Sequence, residues 1–259
     1  MKKLFIAAAL AVSTLSLQAQ QVLNLSTVGG TKLERYDGNE CKVNVDRYLF
    51  NGWNTLALPF DVSESELNEA YGPDCRLERL VGAEEEAGVV TLYFQDCKAQ
   101  GVVANTPYIL YYTGQNGVRR LAKTAVITNG EPTLSLDVRG SSERVTMAGA
   151  RQVVKGEGLY GVLAVDNADA RFVAVDNTKG GFHATRCYVE LTSGNTKTLR
   201  TRHLAAGETT AIAAALSTGE RADVYTLSGI RVATNASAAD ISRLQPGIYV
   251  VNGQKVAVK

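Results

Sequence analysis

Between residues 46 and 191 the apolar positions come in short runs broken by polar turns. The run Trp53-Asn54-Thr55-Leu56-Ala57-Leu58-Pro59-Phe60 reads as a strand ending at a proline. Further strands are expected at 46–50, 76–81, 89–94, 106–112, 121–128, 133–138, 144–147, 159–165, 171–175 and 186–191, all rich in Val, Tyr and Leu. Short strands at this spacing predict an all-β, sandwich-like or barrel-like domain over 21–205. One short helix interrupts it. Ser63 and Glu66 form a capping box, Leu67 and Ala70 give a small apolar face, and Gly72 can close the last turn.

The pattern changes twice more. Residues 203–220 are small, polar and Ala-rich, and 206–220 read as a linker. Beyond it, Asp223-Val224-Tyr225-Thr226-Leu227 meets Ser228-Gly229, and Gly247-Ile248-Tyr249-Val250-Val251 meets Asn252-Gly253. Asn-Gly between alternating strands signals a hairpin, because both central residues of a type I′ turn take positive φ. Residues 221–259 are therefore expected to form a small two-hairpin β-module. Val224, Leu227, Ile248 and Val250 would supply its apolar contacts, with Lys255 and Lys259 in solvent.

The first twenty residues follow another rule. Lys2 and Lys3 precede an apolar run from Leu4 to Val12, and small and polar residues end in Leu17-Gln18-Ala19-Gln20. This is the layout of a secretory signal peptide over 1–20, cleaved after Ala19 or Gln20. The run is shorter than the ~20 apolar residues of a membrane span. A secreted protein at the cell surface or outside the cell, with the periplasm as intermediate or alternative, is the expected location. The chain has 27 basic and 26 acidic side chains, and loss of Lys2 and Lys3 leaves 25 against 26. That balance offers no basic footprint for nucleic acid and no polybasic membrane patch.

Four cysteines, Cys41, Cys75, Cys97 and Cys187, are an even set in an exported chain, which favours two disulfides over reduced, buried thiols. A hairpin folded about Glu86 would place Cys75 opposite Cys97, leaving Cys41 to pair with Cys187.

The tail DVYTLSGIRV…LQPGIYVVNGQKVAVK resembles the C-terminal sorting domains of proteins exported by the type IX, or Por-type, secretion system of the Bacteroidetes group. The resemblance rests on Val224-Tyr225, the Ser228-Gly229 turn, Leu244…Pro246-Gly247-Ile248-Tyr249, and Lys255 and Lys259. It implies that residues 221–259 engage the secretion machinery. NGWNTLALPFDVS, ANTPYILYY and GFHATRCYVEL are similar to a recurrent segment of secreted Bacteroidetes surface proteins, which implies location and architecture without a ligand.

Candidate chemistry is sparse. His183 follows a glycine turn and His203 borders the linker; both read as solvated polar residues and not as bases of a triad. The acids Glu84, Glu85 and Glu86 read as a solvated turn. Asp166-Asn167-Ala168-Asp169 and Asp176-Asn177 offer oxygens to a hard cation, but turn formation by Asp and Asn explains them more simply. Trp53, Tyr108, Tyr111 and Tyr112 are possible ligand-binding residues, as a sugar-stacking platform. No catalytic, cofactor or metal site is assigned. The expectation is a non-enzymatic envelope or surface protein acting in interaction or adhesion on a protein or glycan partner. A carbohydrate-binding module is the alternative, and a glycan hydrolase a third reading.

Overall fold

The computed structural model describes residues 21–26, 32–163, 169–175, 181–194, 196–204, 221–237, 240–241, 243–245, 247–251 and 254–258. The signal peptide over 1–20, the linker over 206–220, Asp166 to Ala168, Asp176-Asn177 and the Asn252-Gly253 turn lie outside them. In chain order the main body contains β1 (Gln21–Ser26), β2 (Glu40–Leu49), β3 (Gly52–Leu56), α1 (Glu64–Tyr71), β4 (Arg76–Glu86), β5 (Val89–Asp96), β6 (Tyr108–Tyr112) and β7 (Gly117–Val126). It continues with β8 (Thr133–Asp137), β9 (Arg144–Gly149), β10 (Val154–Lys155), β11 (Tyr160–Leu163), β12 (Arg171–Ala174), β13 (Gly181–Phe182), β14 (Cys187–Leu191) and β15 (Thr198–Leu204). The tail contains β16 (Ala222–Thr226), β17 (Arg231–Ala236), β18 (Gly247–Val251) and β19 (Gln254–Val258). The fold is all-β with one α-helix among the described residues.

The main body is layered around a five-stranded sheet of order β15-β5-β4-β6-β3. One face packs against the three-stranded sheet β1-β2-β7 and α1, through Leu56, Leu77, Leu110, Val43, Val45 and Leu67 among others. The other packs against the five-stranded sheet β12-β11-β14-β9-β8, through Trp53, Phe94, Ile109, Met147, Phe172 and Val189. Covered on both faces, β3 is buried at every residue, including the polar Asn54 and Thr55, and β6 is an unbroken run of aromatic and aliphatic residues. The outer strand β2 alternates instead, burying Cys41, Val43, Val45, Arg47 and Leu49 on one face.

The helix forms as its capping box dictates. The Ser63 N–H donates to Glu66 Oε2 at 2.8 Å, and the Glu66 N–H donates to Ser63 Oγ at 3.4 Å. Leu67 and Tyr71 face inward, and Lys123 of β7 reaches Glu66 at 2.7 Å. Residues 198–204, not assigned to a strand from the sequence, form β15. It runs parallel to β5, with Thr198 opposite Val89 and Leu204 opposite Gln95.

The disulfide expectation is overturned: all four cysteines are free thiols. The β4–β5 hairpin turns at Ala87-Gly88, whose φ values of 49° and 79° suit a positive-φ turn, and not about Glu86. Near its open end Glu78 lies opposite Asp96, after an irregularity between Leu80 and Gly82. Cys97 therefore meets Leu77, donating its N–H to the Leu77 carbonyl at 2.9 Å, and misses Cys75. Cys41 and Cys187 lie in different cores on opposite sides of the central sheet.

The tail forms one four-stranded sheet, β17-β16-β18-β19, from the two expected hairpins. Its buried cluster, Ala222, Val224, Ala236, Ile241, Val251 and Val256, consists of tail residues alone. Val224 is buried as anticipated, but Leu227 and Ile248 are exposed. Leu227 belongs to the turn that Gly229 closes at φ 82°, donating its N–H to the Thr226 carbonyl, and Ile248 lies on the sheet's uncovered face.

Candidate functional site

The four aromatic residues picked out as a sugar platform do not form one. Trp53, Tyr108 and Tyr112 are buried and Tyr111 is half-buried. Alternation along β6 sends Tyr108 and Tyr112 to the first core and Tyr111 to the second, and each face is covered by another sheet. The hydroxyls are used internally. Tyr108 Oη accepts from the Val103 N–H at 3.0 Å, and Tyr112 Oη from Arg119 Nε at 2.5 Å.

Trp53 instead joins a buried polar cluster. Tyr111, in register with Trp53 and Arg76, sits with its ring centroid 5.1 Å from the indole. The Arg76 guanidinium lies 4.6 Å from the Tyr111 ring and 4.9 Å from the Trp53 ring. On the indole the His203 imidazole is stacked, 4.5 Å away and tilted by 11°. His203 Nδ1 is 2.5 Å from Glu78 Oε2, and Nε2 accepts the Ala170 N–H at 3.1 Å. Accepting at Nε2 places the ring proton on Nδ1, where it is donated to the carboxylate. The sequence expectation of a solvated His203 is thereby corrected: it lies on β15 and ties the central sheet to residue 170 of the next layer. Thr201 reinforces the junction by donating to the Ala170 carbonyl. His183, by contrast, is exposed. No sequence signal links Glu78 with His203, because the two meet only when β15 is added beyond β5.

The acidic turn is also less solvated than expected. Glu84 pairs with Arg139 and accepts from Tyr93 Oη at 2.9 Å, and Glu85 pairs with Lys197 at 2.6 Å; only Glu86 is exposed. The Lys197 hydrogen bond holds the Glu85 carboxyl below the usual carboxylate range.

A second polar group lies at β3, where the outer layers approach each other. Arg47 is 0% exposed and shares the inner face of β2 with Val45 and Leu49. Its Nη2 donates to the Thr55 carbonyl at 2.5 Å, while Nε and Nη1 have no partner among the described residues. Burial, reinforced by the nearby Arg186 charge, lowers its pKa to about 10. Arg186 donates to the Tyr48 carbonyl at 3.1 Å, and Cys187 exchanges hydrogen bonds with the Thr55 hydroxyl at 2.8 and 3.3 Å. Burial pushes the Cys187 thiol up to about 12, against the pull of Arg47. An uncompensated buried charge costs on the order of several kcal/mol. The sequence gives no sign of it, since Arg47 sits in an ordinary alternating strand.

Among the exposed large apolar side chains, two sets stand close together in the fold or on one small sheet. On the outer layer, Tyr48 and Phe50 meet edge to face at 5.1 Å, and Tyr48 is opposite Val118; all three are exposed. On the tail, Leu227 is 58%, Ile230 64% and Ile248 53% exposed, with Val232 also open. Among the described residues no group of His, Cys, Asp and Glu could hold a metal ion, and no helix is long and apolar enough to cross a membrane. The chain matches no protein-family model, no curated protein and no solved structure.

Proposed function

We propose that this is an exported, non-catalytic protein of the bacterial cell surface that acts by binding, with residues 221–259 serving as its sorting or anchoring module. The observation that carries the reading is the tail sheet. It has a buried cluster of its own and keeps Leu227, Ile230, Val232 and Ile248 in solvent. Exposed apolar side chains gathered on a small sheet suit a surface that docks on a partner, and the partner favoured by the resemblance is the secretion machinery. The N-terminal charged, apolar and small-residue order supports export. Buried ionisable side chains such as Glu78 and His203 hold strands together, which favours binding over catalysis.

Deleting residues 221–259 tests the proposal. The truncated protein should fold, with an unfolding midpoint within about 3 °C of the parent, and should accumulate in the periplasm. Unfolding of residues 21–205 on truncation, or unchanged surface delivery, rejects the sorting role.

A glycan-binding reading survives on different residues from those first considered. The exposed Tyr48–Phe50 pair beside Val118 is a possible stacking surface for a sugar ring. Binding on a glycan array that disappears in Tyr48→Ala/Phe50→Ala supports it, and an array blank for the parent protein removes it.

A further inference from the structure

We propose that Arg47 forms the floor of a buried anion site at β3, and that the site takes one small monovalent anion of the halide class. The inference is independent of the surface role proposed above. Arg47 makes no ion pair with any described residue. The Nε–H and both N–H bonds of Nη1 find no acceptor among the described residues. The charged or ionisable groups acting on the guanidinium are Arg186, Tyr71 and Cys187. The first adds positive charge, and the other two are neutral below their raised pKa values.

Two further buried hydroxyls lack partners among the described residues. Tyr71 Oη, at the end of α1, is buried without a partner. So is Thr185 Oγ1, which immediately precedes Arg186. Thr185 holds φ at 69°, a left-handed conformation that a β-branched residue rarely adopts, and its backbone N–H and carbonyl are bonded to Ala150 and Ala57 at 3.0 Å each. Unpaired, buried guanidinium N–H groups beside a second positive charge select an anion over a cation or a neutral ligand. Arg47 is closed off among Val45 and Leu49, which favours a monatomic, weakly hydrated ion over a bulky oxyanion. Half-buried Arg186, bonded to the Tyr48 carbonyl, adds a second positive charge beside Arg47.

The site is tested on the full mature chain by thermal unfolding in sodium chloride, sodium bromide and sodium gluconate at one ionic strength. Chloride and bromide should raise the midpoint by about 5 °C over gluconate, with a saturable concentration dependence. Arg47→Met, which keeps the apolar stem and removes the charge, should fold and lose the difference between salts. Equal midpoints of the parent protein in all three salts overturn the proposal, as does an Arg47→Met variant that keeps the chloride effect. If that variant does not fold, chlorine-35 NMR on the parent protein decides. Excess line broadening that bromide reverses supports the site, and its absence overturns it.

Discussion

The five-stranded central sheet and the four-stranded tail sheet are built from similar short strands rich in Val, Tyr and Leu, yet they treat their polar and apolar side chains in opposite ways. In the central sheet both faces are covered, so Glu78, Asn54 and Thr55 are buried along with Trp53 and Ile109. Each polar group then needs a partner: Glu78 takes His203, Asn54 donates to the Phe50 and Gly52 carbonyls, and Thr55 bonds Cys187. In the tail one face is buried and Ile248 stays in solvent on the other. The number of covering layers, more than residue type, decides whether a side chain is structural or available to a partner.

The sharpest test of the covered sheet is Trp53→Ala. It removes the indole on which His203 stacks and opens a cavity in the second core, so a loss of about 3–5 kcal/mol in urea unfolding is expected. A loss below about 1 kcal/mol would mean that the layer over Trp53 is not closed. Next comes His203→Ala, which leaves the Glu78 carboxylate buried without its donor and should cost about 3 kcal/mol. Combining Glu78→Leu with His203→Phe should recover most of that loss, since an apolar pair needs no partner and Phe keeps a ring on Trp53; a double mutant as unstable as His203→Ala would show that the hydrogen bonds of His203 to Glu78 and Ala170 stabilise the fold beyond pairing the carboxylate.

A more gradual effect follows from the thiols. Cys187 keeps its proton in the folded protein until about pH 12, whereas the unfolded chain releases it near 9. Stability is therefore lost as pH rises from about 9, with a slope of about 1.4 kcal/mol per pH unit from this group, and the loss levels off near 12. Cys187→Ala should flatten the alkaline limb of a stability–pH curve, and an unchanged slope would place the titrating group elsewhere. Burial predicts that a thiol reagent reaches Cys41, Cys75 and Cys187 only after denaturation, whereas the partly exposed Cys97 is the first to react in the native protein. The smallest effect is expected on the open face of the tail. Ile248→Ser should change stability by less than about 0.5 kcal/mol, and a larger loss would show that this face is covered in the folded protein.

Several features were legible from the residues alone because their causes are local. Ser63 and Glu66 announce the helix start, and the alternation of Val224 with its neighbours marks a half-covered strand. The run of Trp53 to Phe60 signals a strand ending at a proline, although not the two layers that bury it. The remaining features depend on residues far apart in the chain. The disulfide expectation failed because one shift of the β4–β5 turn moves every opposed pair, and because Cys41 and Cys187 fall on opposite sides of a sheet. Glu78 meets His203 across 125 positions of sequence, and Arg47 lies near Arg186 only because two outer layers converge on β3. Local torsional and capping preferences act within a few residues and can be read in order along the chain. Burial and charge compensation depend on which layer covers which face, and that is settled only when the sheets stack.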